Sequence, residues 1–114
     1  MAQTFTKVKL SGSTNGRGIK VVSTATAGTT IHAATTDLDE VWLYAYNSHT
    51  ADVELTIELG GVTSPDDHIK VTVPFKAGVM CVVPGLLMTG SVTVAAFAGT
   101  TNVIIITGYV NRIA

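Results

Sequence analysis

The chain has 114 residues, of which 13% are charged, and a formal net charge of −1. That length suits one domain, taken as residues 1–114, which can bury a core without disulfides or metal. The seven lysines and arginines are scattered, which excludes nucleic-acid binding by phosphate neutralisation; a charge content about half the usual ~25% favours burial against copies of the chain or a larger assembly.

Period-two alternation begins at once, with Phe5, Lys7 and Lys9 facing away from Thr6, Val8 and Leu10. Residues 1–10 are therefore expected to form an N-terminal arm or an edge strand able to add to a partner's sheet. They carry no basic region followed by an apolar run, so no signal peptide is expected. Residues 11–18 form a polar, glycine-rich connection containing Asn15-Gly16, a hairpin signal, and Arg17, a residue type favoured at interfaces. Short strands follow at residues 19–22 and 29–33.

From Leu38 to Tyr46 both faces are apolar. Trp42, Tyr44 and Tyr46 share one face with Leu38 and Glu40, and Val41, Leu43 and Ala45 share the other with Asp39. The aromatic stripe is expected to cover the core, and the alternative is a contact platform for protein or sugar. Val53, Leu55, Ile57 and Leu59 then alternate with Asp52, Glu54, Thr56 and Glu58, predicting one buried and one wet face. Residues 47–51 between these strands have hairpin length and turn chemistry. After the Gly60-Gly61 to Asp66-Asp67 loop, Ile69, Val71 and Val73 alternate with His68, Lys70 and Thr72 until Pro74 stops the strand. Residues 79–83 form a strand expected to close at Pro84-Gly85. Strands at 92–96, 103–107 and 108–113 complete the chain. Residues 77–111 carry no charge, but their glycines and Pro84 leave no apolar run near the ~20 residues of a membrane-spanning helix.

About eight or nine strands with short connections predict an all-β fold, an antiparallel β-sandwich of jelly-roll type, with an immunoglobulin-like sandwich as the alternative. The candidate chemistry is sparse. The single cysteine, Cys81, lies in an apolar run and is read as a buried small hydrophobe. His32, His49 and His68 are not at metal-ligand spacing; His49 and His68 are read as solvated and His32 as half-buried. The carboxylate groups Asp37-Asp39-Glu40 and Asp66-Asp67 are read as solvated turn residues. No catalytic, metal or cofactor residues are assigned. The residues expected to meet a partner are Phe5, Val8, Leu10, Arg17, Trp42, Tyr44 and Tyr46.

The run from Asn15 to Val21, Gly28 to His32, and Asp39 to Ala45 with Asn47-Ser48 resembles small virion proteins of tailed bacteriophages. Ser64-Pro65-Asp66-Asp67, Val83-Pro84-Gly85 and Val110-Asn111-Arg112-Ile113 extend the likeness over nearly the whole chain. The proteins it resembles are capsid decoration, or cement, proteins: β-sandwiches, commonly trimeric, that clamp neighbouring major capsid subunits on the head. The resemblance implies a homotrimer made in the host cytoplasm and located on the virion surface, with the major capsid protein as partner; the scattered cations and broken apolar runs lead to the expectation of no nucleic acid or membrane contact. A tail or head-fibre module, or a carbohydrate-binding sandwich, is the alternative.

Overall fold

The computed structural model describes residues 3–114, so Met1 and Ala2 of the expected arm lie outside the described residues. Nine strands occur among them: β1 (Phe5–Lys9), β2 (Ile19–Lys20), β3 (Thr29–Ala33), β4 (Leu38–Asn47), β5 (Val53–Leu59), β6 (His68–Val73), β7 (Met80–Met88), β8 (Thr93–Ala98) and β9 (Ile104–Ile113). Branched residues and threonine, alternating in side, are what a pleated ladder accepts, and glycine or proline clusters separate the runs. All pairing is antiparallel. One sheet has the order β1-β9-β4-β7, with β2 beside β1 on the same edge of β9; the other has the order β3-β8-β5-β6. These two orders are those of a jelly roll, in which successive strands cross between sheets and only β5 and β6 are sequential neighbours within one.

The hairpin expected between β4 and β5 does not form. β4 pairs with β7 and β9, and β5 with β6 and β8. Asn47 secures the crossing: its buried Nδ2 donates to the carbonyls of Ala51 (2.9 Å) and Val73 (2.8 Å), and its Oδ1 accepts from His49 N (2.8 Å). The side chain thus ties the turn to the opposite sheet. Asn15 and Gly16 are both left-handed, as an Asn-Gly turn requires, yet the strands flanking them do not pair with each other. Both lie along β9, one edge interrupted by the loop.

The core lies between the sheets, where Leu43, Val41, Leu55, Ile57, Ile104 and Ile106 are completely buried. At the centre, Gly108 of β9 faces Leu43, and a Cβ there would collide with the Trp42 carbonyl oxygen. A side chain at that position would push β9 off β4.

Candidate docking face

The alternation of β4 resolves opposite to expectation. Val41, Leu43 and Ala45 point into the sandwich, and Trp42, Tyr44 and Tyr46 stand on its outside. Asp39 sets the phase. This carboxylate lies on the core side with no exposed area, because two partners meet it there. Arg112 donates from Nε (2.8 Å) and Nη2 (3.0 Å), and His32 Nε2 lies 2.8 Å away. His32 Nδ1 accepts the Ser11 backbone N–H (3.1 Å), so Nε2 carries the hydrogen and donates to Asp39. The Arg112 bonds, with help from His32, hold the Asp39 carboxyl below the usual carboxylate range against the opposing effect of burial. His32 is thus fully buried rather than half-buried, and Asp39 is not a solvated turn residue. Ser11, His32 and Asp39 are the residue types of a hydrolytic triad, but Ser11 presents its backbone to the imidazole and its hydroxyl accepts from Ala33 N (2.6 Å). The group braces β3, β4 and β9 and the loop that follows β1 together.

Cross-strand register places Trp42 beside Tyr109, Tyr44 beside Thr107, Tyr46 beside Ile105, and Leu38 beside Ile113 on the outer face. The Trp42 and Tyr109 rings stack with centroids 6.4 Å apart and planes 15° from parallel, and Lys7 Nζ sits 5.1 Å from the Tyr109 ring centre. Glu40 accepts from Trp42 Nε1 (2.7 Å) and Asn111 Nδ2 (3.0 Å). Those two bonds hold its carboxyl below the usual range. Partial desolvation, with Tyr109 and Cys81 adding repulsion, raises the Tyr44 phenol above its ordinary value. Phe5 pairs with Ile113 and Leu87 with Glu40, so both join this face, exposed at 70% and 54%. Leu38 and Tyr46 are exposed at 40% and 36%. Strands about 4.8 Å apart, rising about 3.4 Å per residue, with β4 and β9 ten residues long, β7 nine and β1 five, span roughly 550 Å², about two thirds of the ~800 Å² per partner of a standard interface.

The expected partner residues therefore divide. Phe5, Trp42, Tyr44 and Tyr46 share the outer face. Val8 is half-buried on the inner side against the core, and Leu10 is a core residue at 1% exposure. Both belong to the register that turns Phe5 outward. Arg17 is exposed in the loop at a hollow with Gly12, Thr14 and Lys20, apart from the aromatic rows.

Cys81 is exposed opposite Tyr44, not buried. β7 does not close at Pro84-Gly85; it runs through them as an edge strand with two register shifts against β4. One leaves Val82 as an extra residue, so Val82 and Val83 are both buried and Cys81 is turned out. The other admits Gly85, whose backbone closes on the Trp42 indole so tightly that a Cβ would lie 2.8 Å from the ring.

The outer face of the second sheet is drier than alternation predicts. Glu58 is 1% exposed, since Gly28 N (2.7 Å) and the Thr26 hydroxyl both donate to it from the loop that folds over β5. The His68 side chain, 6% exposed, lies 3.5 Å from Glu58 and edge-on to Phe97; it is not solvated. A pocket of about 280 Å³ beside Glu58 is lined by Gly28, Thr30, Val62 and Ala95. Asp67 caps its own turn by accepting from Thr63 N (3.1 Å), and Asp66 is exposed. Among the described residues, no three His, Cys, Asp or Glu side chains are grouped to hold a metal ion, and no helix is long and apolar enough to cross a membrane. No family model, curated protein or solved structure matches the chain.

Proposed function

We propose that this chain is a structural virion protein that binds the outer surface of a phage head as a homotrimer and stabilises joints between major capsid subunits, acting by adhesion and not catalysis. The observation that carries the reading is the outer face of the β1-β9-β4-β7 sheet. An isolated sandwich with so little charge gains nothing from leaving Phe5, Leu38, Leu87 and the Trp42–Tyr109 stack in water, whereas a protein-covered face buries them and excludes solvent from the aromatic pair. The resemblance to decoration proteins supplies the head as the place and the trimer as the assembly. Binding repeated over many shell sites then adds up to resistance against internal pressure.

The test is co-sedimentation of the purified protein with heads of the phage whose genome carries the sequence. Wild type pellets with heads, and Phe5→Ser combined with Leu87→Ser loses most of that binding while keeping its fold. Pelleting with tails, or saturable binding on a glycan array through Trp42 and Tyr109, would transfer the face to the fibre or carbohydrate reading. Sizing in solution gives three chains per particle on this proposal, and one chain contradicts the trimer.

A further inference from the structure

The free edges of the two sheets are not equivalent. β7 is interrupted by Pro84 and two register shifts and β3 by a shift between Thr30 and His32; β6 is regular, but its first amide, His68 N, is already bound by the Pro65 carbonyl (3.2 Å). β1 is regular from Phe5 to Lys9, with neither proline nor bulge. Thr4 and Ala114 exchange both backbone bonds, at 2.9 and 3.0 Å. Doubly bonded positions alternate with unbonded ones along an antiparallel pair, so Thr6 and Val8 direct their backbone groups to β9, while Phe5, Lys7 and Lys9 direct theirs outward. These three residues present a ready row of N–H and C=O groups, the kind of edge that templates a further strand.

We infer that this edge receives an extended segment of a partner protein with acidic side chains opposite Lys7 and Lys9. Lys7 Nζ rests over the Tyr109 ring of β9 and Lys9 Nζ donates to the Ser13 carbonyl (3.1 Å), and both flexible stems start on β1, from which they can turn to carboxylates on a strand added at its edge. Lys20 of β2 adds a third cation along the same border of β9. Opposite charges directly across a strand pair stabilise it, and like charges destabilise it. A second copy is the wrong occupant: pairing antiparallel about the same three residues sets Lys7 against Lys7 at the two-fold axis. Phe5 offers the apolar cross-strand contact on the outer face and Thr6 and Val8 lie on the inner one, so the fitting segment alternates acid with an apolar or threonine residue. The inference concerns β1 alone and holds whether or not the shell is the partner.

The probe is a short blocked peptide alternating glutamate with valine and threonine, compared with its lysine counterpart, each titrated into the full chain and followed by amide NMR and hydrogen exchange. The glutamate peptide should shift and protect the amides of Phe5, Lys7 and Lys9 and bind roughly tenfold more tightly than the lysine peptide. Lys7→Pro removes an outward N–H that β9 does not use; it should leave the melting midpoint nearly unchanged and abolish the response. Should that variant fail to fold, Lys7→Glu serves instead and should reverse the peptide preference. No saturable change at these amides, a response centred on another edge, or equal response to both peptides would overturn the inference. Head binding is not needed for any of these readings, so failure of the peptide test and failure of the capsid proposal are separate results.

Discussion

Replacing Asp39 with alanine probes the buried group that fixes which face of β4 points into the core. The carboxylate has no exposed area and accepts from Arg112 twice and His32 once. Removing one partner of a buried charge pair costs about 3–5 kcal/mol, because the other charge is left uncompensated. The Arg112 side chain is 24% exposed and can turn toward water, which places its share at the low end. The His32 Nε2–H has no such escape, and an unsatisfied buried donor costs about 1–3 kcal/mol. A total near 4 kcal/mol is a large part of the about 5–15 kcal/mol that stabilises a domain. Urea denaturation should show that loss, with a fall in Tm on the order of 15 °C. Arg112→Met alone strands the carboxylate and should cost a comparable amount, whereas Asp39→Leu with Arg112→Met should cost less than the sum of the singles. A loss below about 1 kcal/mol for Asp39→Ala, or strict additivity in the double variant, would refute the buried-pair account.

The same group governs acid stability. Its folded-state pKa is depressed, so its contribution is present above the unfolded carboxylate value of about 3.9 and disappears as pH falls through the lower folded value. Urea midpoints measured from pH 6 downward should therefore drop below about pH 4, and Asp39→Asn should flatten that limb; an unchanged limb contradicts the assignment. Asn47→Ala removes three hydrogen bonds from the turn between the sheets and should cost about 2–3 kcal/mol by thermal or urea melting, against a few tenths for an ordinary exposed turn residue. Gly108→Ala drives a Cβ into the Trp42 carbonyl, so a loss of about 3 kcal/mol or more, or failure to fold, is expected; a near-neutral melt would mean that β9 does not approach β4 so closely.

Strand positions were legible from alternation because a half-buried strand writes its two faces into neighbouring residues. Sheet membership was not, since nothing local to residues 47–51 says that Asn47 reaches across to Val73, 26 residues away. The aromatic stripe of β4 was visible, but its direction depended on Asp39, whose partner Arg112 lies 73 residues further along the chain. Lacking that partner, a carboxylate reads as wet. Glu58 and His68 misled for a related reason: the loop bonded to Glu58 comes from residues 23–28, ahead of β3, His68 is shielded in turn by Glu58 and Phe97, and no period in β5 or β6 records either cover. Cys81 was displaced by a bulge, which inserts one residue and reverses the faces of what lies beyond it. Val8 and Leu10 show the limit of grouping a segment by proximity, because one strand turns Phe5 outward and its neighbours in.

The central claim is that the outer face bearing Trp42, Tyr109, Phe5 and Leu87 is covered by protein in the working assembly. On the proposed head-binding reading, a cryo-electron microscopy map of heads decorated with the protein tests this directly. The account predicts copies on the head exterior with that face packed on capsid subunits and the Trp42–Tyr109 stack closed to solvent. Copies placed on the head with this face open to water, and the β3-β8-β5-β6 face packed on the shell instead, would contradict it.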